Sequence, residues 1–310
     1  MLKTGEIIDN TYAIEGEIGS GAGGVIYKAY HLRLRKTVVI KQISREIRGK
    51  INERREVDIL KNLKHSYIPQ VYDFIEYDKD VYTIMEYIAG SSLADELKKR
   101  KRFPSKRVIK WGIQLCEALS YLHSRSIPII HSDIKPDNIM LNVDDNICLI
   151  DFNISLLFAD DTNNIGFTEG YSPPEQISVF NIINRMNICK KTNSTKNIEF
   201  LENAEETEDV IVGFKELNSG RTSDKLNSNN NFKKVKNKID ERSDIYSLGV
   251  SLYHLVFGEK LDTYNIDITK LNNNKINKSL NQIIKKATNI EPENRYKTAD
   301  EMLNDLKNLF

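Results

Sequence analysis

Three clusters along the chain carry residue types whose spacing could do chemistry. Gly19, Gly21 and Gly24, within Gly19-Ser20-Gly21-Ala22-Gly23-Gly24, form a G-x-G-x-x-G. With no side chain in the way, backbone N–H groups of such a turn can approach phosphate oxygens closely; a plain hairpin turn would use the same glycines. In a dinucleotide fold the glycines open a helix, whereas here Val25, Ile26 and Tyr27 read as a strand. Lys41 ends the apolar run Val38-Val39-Ile40. An ammonium at the end of a buried strand needs an anionic partner, which a phosphate and Glu56 together would supply; a surface lysine needs neither. His131-Ser-Asp-Ile-Lys-Pro-Asp-Asn138 and, thirteen residues later, Asp151-Phe-Asn153 are more specific. Asn138 and Asp151, brought together by a hairpin, are oxygen ligands suited to Mg²⁺, which usually shares its shell with substrate phosphates. Asp133 is then the acidic group placed to receive a hydroxyl proton.

Positioning these groups requires two kinds of architecture. Tyr12 to Ile18, Val25 to Leu32, Val38 to Lys41, Gln70 to Tyr77 and Val81 to Tyr87 read as strands. One amphipathic helix interrupts them, with Val57, Leu60 and Leu63 at helical spacing. After Gly90 the pattern turns helical. Ser92 can cap SSLADELKKR, with Asp95 three residues on. Val108, Trp111, Leu115, Leu119 and Leu122 form one stripe after Pro104. Two short strands around VDDN precede a helix from Asp244 that is apolar on most sides and so belongs at a domain centre. The last helix opens at the capping-box pattern Thr298-Ala-Asp-Glu. The boundary between the two parts falls near residues 88 to 92. Residues 178–239 are polar, Asn-rich and without sustained periodicity, and read as a disordered insertion.

The chain has 310 residues, room for two domains or one large one carrying an insertion. Lys plus Arg number 45 and Asp plus Glu 44, a balance that argues against a general nucleic-acid or membrane-surface binder. No apolar run approaches the roughly 18 residues of a membrane span. The first residues lack the features of a secretory signal, and Cys116, Cys148 and Cys189 are scattered without metal-ligand spacing. Reduced thiols in the cytoplasm are the expectation.

In this order, the motifs resemble those of a eukaryotic-type Ser/Thr protein kinase of the kind also found in bacteria. Gly170-Tyr-Ser-Pro-Pro-Glu175 resembles the end of that family's activation segment. Asp240 to Gly249 resembles its central large-lobe helix, and Arg295 the usual partner of Glu175. The resemblance runs from about Tyr12 to Leu309, apart from the insertion. It implies an α+β, protein-kinase-like bilobal fold: a single kinase domain over 12–309, with a β-rich N-lobe at about 12–88 and a mainly helical C-lobe at about 92–309. It also implies transfer of the ATP γ-phosphate to Ser or Thr of protein substrates, autophosphorylation included. The backbone of Gly19, Ser20, Gly21, Ala22, Gly23 and Gly24 would cover the ATP phosphates, and Ile18 would also bind the nucleotide. Lys41 would hold the α- and β-phosphates and pair with Glu56. Asn138 and Asp151 would hold Mg²⁺, with Mn²⁺ as a substitute. Asp133 would orient the substrate hydroxyl and accept its proton, Lys135 would stabilise the transferred group, and Thr168 would bond both. Glu86 and Ile88 would meet adenine through backbone groups, and Ile26 and Met140 would sandwich the ring. No nucleic-acid partner and no membrane span are implied, and the oligomeric state is left open.

Three positions depart from the family pattern. Ser132 stands where Arg is usual, and a serine cannot form the charged pair that an Arg makes with a phosphorylated activation loop. Asn153 replaces a glycine, at a turn where Asn tolerates positive φ. Val39 replaces an alanine and narrows the adenine pocket. The first two motivate an alternative, a pseudokinase that binds nucleotide or partners without phosphotransfer. A small-molecule kinase on a similar fold is disfavoured by Lys135 and by the Ser-Pro-Pro-Glu-Gln segment at 172–176.

Overall fold

The computed structural model describes residues 1–21, 24–43, 60–78, 80–151, 166–181, 239–261 and 278–309. Glu56, Ala22, Gly23, Asn153, Cys189, most of the helix expected around Val57 and nearly all of the insertion lie outside those residues.

The N-terminal part is a six-stranded antiparallel sheet. Its strands are β1 (Ile7–Ile8), β2 (Tyr12–Gly21), β3 (Gly24–His31), β4 (Lys36–Ile43), β5 (Val71–Tyr77) and β6 (Asp80–Glu86), in the order β1-β2-β3-β4-β6-β5. Alternation decides which side chains point where. On β3, Val25, Tyr27, Ala29 and His31 are buried while Gly24, Ile26, Lys28 and Tyr30 are half-covered. On β4, Val38 and Ile40 are fully buried and Val39 and Lys41 face the other side. The register pairs Ile26 with Lys41 and Lys28 with Val39, and pairs Val39 in turn with Met85 on β6. One face of the sheet therefore closes a core of Ile8, Tyr12, Ile14, Tyr27, Ala29, Val38, Ile40, Tyr82 and Ile84. The opposite face presents Ile26, Val39 and Lys41 in a row. At the start of β3 a glycine is required: Gly24 has φ 112°, and a Cβ there would meet the carbonyl oxygen of Gln42.

Gly90–Ser92, expected in the linker, forms a strand, β7. It joins β8 (Ile139–Asn142) and β9 (Ile147–Leu149) in a three-stranded sheet of the C-terminal part. Helix α1 (Leu93–Arg100) starts at Ser92, whose hydroxyl accepts the Asp95 N–H at 3.1 Å and donates to the Asp95 carboxylate. Helix α2 (Ser105–His123) buries all five residues of its predicted stripe. Helix α3 (Glu241–Phe257) is buried on most sides, as its composition required, and ends at Gly258 with φ 79°. Gly249 lets it approach α4 (Lys278–Ala287) closely, for an added Cβ would lie 2.8 Å from Ala287. Helix α5 (Ala299–Lys307) is capped by Thr298, which accepts the Glu301 N–H at 3.3 Å. Residues 174–181 are also helical, with Val179 fully buried, so 178–181 belong to the packed fold and not to an insertion. A third apolar cluster ties the two parts together: Leu60, Leu63, Ile68, Val71 and Val81 pack with Ala118, Leu122 and Ile129.

Candidate active site

Between the sheet and the helical part lies a cavity of about 410 Å³. Ile18, Ile26, Val39, Met85 and Glu86 line it from the sheet, Tyr87 and Ile88 from the connection, and Met140 and Ile150 from the other part. Lys41 and Asp151 stand at the same cavity and form an ion pair, with Lys41 only 19% exposed. Among the described residues Asp151 is the anionic partner that Lys41 was expected to need. Gly19, Ser20, Gly21 and Gly24 pair in the β2–β3 ladder beyond Ile18 and Ile26 and do not line the cavity. Asp95, Ser91, Ser92, Pro69 and Ile150 line it without having been foreseen. Asp95 is held below its usual carboxylate range by hydrogen bonds from Lys98 and Ser92, and so presents a negative charge. It had been read only as a helix-capping residue, and nothing local in the sequence marks it as part of the cavity.

A polar cluster adjoins this cavity. Asp133 accepts from Thr168 Oγ1 at 2.7 Å and pairs with Lys135 Nζ at 2.9 Å, while Lys135 Nζ also reaches Thr168 Oγ1 at 2.9 Å. Asn138 donates both amide hydrogens to Asp133, at 2.8 Å to the main-chain carbonyl and 2.9 Å to the carboxylate. Its Oδ1 is consequently the atom it has for a cation. The Ile150 N–H donates to the Asn138 carbonyl at 2.9 Å, at the open end of the β8–β9 hairpin. That bond brings Asn138 next to Asp151, as predicted. Among the described residues no cluster of three or more His, Cys, Asp or Glu could hold a metal. A two-oxygen set of this kind fits a hard divalent ion that completes its shell with phosphate and water.

The loop that carries Asp133 is fixed from below. Ser132 has φ 63°, and Asp151 φ 62°; positive φ in a non-glycine residue costs on the order of 1–3 kcal/mol and persists where its surroundings over-determine it. Asp244, fully buried on α3, accepts the main-chain N–H groups of His131 and Ser132, each at 2.8 Å, and bonds His123 Nε2 at 2.9 Å. Burial depresses the pKa of His131, so its ring is neutral near pH 7. Its Nε2 donates to the Ile150 carbonyl at 3.1 Å and its Nδ1 accepts the Asp133 N–H at 3.3 Å. Burial acts to raise the Asp133 pKa, but hydrogen bonds from Lys135 and Thr168 and the charge of Lys135 outweigh it. The carboxyl lies below its ordinary value and is ionised at neutral pH. Farther out, Arg295 makes a buried bidentate pair with Glu175 at 2.7 and 2.9 Å, as expected, and Ser243 adds a bond to Glu175 at 2.8 Å.

A sheet lobe and a helical lobe with this cavity and loop between them define the protein kinase fold. The kinase domain of PknI from Mycobacterium tuberculosis superposes over 100% of both chains with a TM-score of 0.63 at 18% identity. A Rad53 fragment in complex with AMP-PNP gives 0.63 at 20% identity, over 95% of this chain and 64% of that one. The chain belongs to the protein kinase domain family, whose sequence model matches residues 12–188. A probable serine/threonine-protein kinase of Clostridium acetobutylicum is 27% identical over 98% of this chain and 41% of its own length. The probable serine/threonine-protein kinase YbdM of Bacillus subtilis is 33% identical over 50% of this chain and 61% of its own length. The chain thus spans about two fifths of the clostridial relative. No helix among the described residues is long and apolar enough to cross a membrane.

Proposed function

We propose that this chain is a serine/threonine protein kinase that uses ATP with Mg²⁺, or Mn²⁺ in its place, and phosphorylates Ser or Thr of protein substrates and of itself. The observation that carries this reading is the bonding of Asp133, Lys135, Thr168 and Asn138 into one cluster beside the Lys41–Asp151 pair. Asp133, ionised and held by three donors on Thr168, Lys135 and Asn138, would orient the acceptor hydroxyl and take its proton. Lys135 would neutralise charge on the transferred group, and Thr168 would keep both in place. Lys41 would hold the α- and β-phosphates, with Glu56 as its second partner, while Gly19 to Gly24 cover the phosphates with main-chain N–H groups. Asp151 and Asn138 Oδ1 would hold the metal ion, which supplies charge neutralisation when bound. The base would lie between Ile26 and Met140. The Glu86 N–H is committed to Gln70 at 2.9 Å, so Glu86 would meet adenine through its carbonyl, and Ile88 through its own backbone. A cytoplasmic setting fits Cys116 and Cys148, the cysteines among the described residues, which are free and buried; burial pushes the Cys148 thiol up to about 12, so it stays protonated.

The test is transfer from labelled ATP to the protein itself and to a basic acceptor protein, beside Asp133→Asn. Label on Ser or Thr that disappears in the variant supports the reading. ATP binding without any transfer by the wild type overturns it in favour of a pseudokinase.

A further inference from the structure

Gln176 follows the Glu175 anchor on the helix at 174–181 and is 1% exposed. Its amide nitrogen donates to two main-chain carbonyls, Ser132 O and Gly166 O, each at 2.8 Å. Both acceptors are carbonyls and an amide NH₂ has two hydrogens, so the orientation of the group is fixed and its donors are fully used. The two carbonyls belong to different segments, the catalytic loop and the later part of the activation segment, and each lies within two residues of the polar cluster. Ser132 O shares a peptide unit with the Asp133 N–H. Gly166 lies two residues before Thr168, whose hydroxyl bonds Asp133. The bonds close a ring running from Gln176 through Ser132, Asp133, Thr168 and Gly166 back to Gln176.

The position of Ser132 explains why such a clamp is needed. Its φ of 63° is costly for a serine, and its conformation is held from two sides: Asp244 takes its N–H and Gln176 its C=O. The Ser132 hydroxyl is buried without a hydrogen-bond partner, so the main chain, not the side chain, makes the link. An arginine at position 132 would join the two segments through a charge-assisted pair with a phosphate. The Gln176 amide joins them with neutral donors on a helix anchored by the Glu175–Arg295 pair.

We propose that Gln176 is a positioning residue that keeps the catalytic loop and the activation segment in productive register without phosphorylation. The inference rests on the kinase reading above. Gln176→Met keeps the volume and removes both donors. A misplacement of about 1 Å costs on the order of 10²-fold in rate, so kcat falls about 10- to 100-fold while KM for ATP stays within about twofold. Because Gln176 acts through the Thr168–Asp133 contact, the double variant with Thr168→Val is no slower than the slower single variant. Wild-type enzyme treated with phosphatase keeps its kcat, a measurement that stands even where the variant fails to fold. A parallel rise in KM, multiplied losses in the double variant, or collapse of wild-type kcat after phosphatase each overturn the proposal. If the wild type transfers no phosphate, the kinase reading fails and amide hydrogen exchange decides for the clamp alone. Faster exchange at 131–135 and 166–172 in Gln176→Met or Gln176→Glu, with β5 and β6 unchanged, supports it, and unchanged exchange in the two segments overturns it.

Discussion

In the cavity, Ile26, Val39 and Met85 come from three strands, and the side each one faces follows from the pleat and the pairing register. In the polar cluster beside it, Asp133, Lys135, Asn138 and Thr168 sit on segments outside any strand or long helix. Asp133 and Lys135 are each tied to Thr168, 35 and 33 residues on, and Asn138 braces Asp133 within the loop. The cavity wall is apolar and periodic, so losing a methylene from it removes one small contact. The cluster is polar and aperiodic, and its geometry depends on buried groups such as Asp244 and Glu175 that never touch a substrate. One region holds a ligand by shape, the other works by a bonded network in which a missing partner leaves a desolvated group behind.

The sharpest break of this contrast is to remove a support of the network. Arg295 has a fully buried side chain, pairs with Glu175, and also donates to the carbonyls of Asn289, Arg242 and Ile290. Arg295→Met should cost about 3–5 kcal/mol, because it strands a buried carboxylate, and should lower Tm on the order of 10 °C. A thermal melt reads this directly, and a Tm within a degree of wild type would show that the pair is not structural. Lys41 separates the two regions in another way, since it reaches the cavity and pairs with Asp151. Lys41→Met should lower kcat by about 10²–10³-fold, as for loss of one preorganised donor. Tm should barely move, for the pair is partly exposed. Activity near wild type would remove Lys41 from the machinery.

The same contrast explains what could be read from the sequence. The strands, the stripe on α2, the central helix α3 and the caps at Ser92 and Thr298 follow from local periodicity and local chemistry, and the structure has them all. The motif residues Asp133, Lys135, Asn138, Asp151 and Thr168 were legible because their order along the chain resembles a known family. Gln176 was not, because its partners lie 44 and 10 residues away and nothing local marks it. Nor was Asp95, whose place at the cavity depends on where β7 brings the start of α1. Asn153, where left-handed backbone was expected because Asn tolerates it, lies outside the described residues; in the site the structure has positive φ at Ser132 and at Asp151, which no local signal marked. Tertiary bonds to Ser132 from Asp244 and Gln176 override its local preference.

Thr168→Val tests the network more gently. It removes one hydrogen bond to Asp133, worth about 1–1.5 kcal/mol, and should lower kcat about tenfold with KM for ATP unchanged. The pH profile carries more information. With its folded pKa below the ordinary 3.8, ionised Asp133 contributes stability that is full above the unfolded value and is lost as pH falls through the folded one. The acid limb of kcat/KM that Asp133 controls therefore lies below the ordinary carboxylate range in the wild type. Thr168→Val takes away a contact that lowers this pKa and leaves the burial that raises it, so the limb moves toward neutral pH. A tenfold loss with an unmoved limb would mean that Thr168 positions the loop without bonding the ionised carboxylate.

The smallest effect belongs to the cavity wall. Ile26 lies on the half-covered face of β3, paired with Lys41 across the ladder, and Ile26→Val removes a single methylene from a surface expected to lie against the base. Full burial of a methylene is worth about 0.8 kcal/mol, so KM for ATP should rise by at most about fourfold, with kcat and Tm unchanged. Here a shape-based site predicts a graded response: Ile26→Ala should weaken ATP further in proportion to the area lost, and neither variant should alter the pH profile. If Ile26→Val lowered kcat instead, the wall would be coupled to the polar network, and the division between a region that binds by shape and one that works by bonded geometry would not hold at β3.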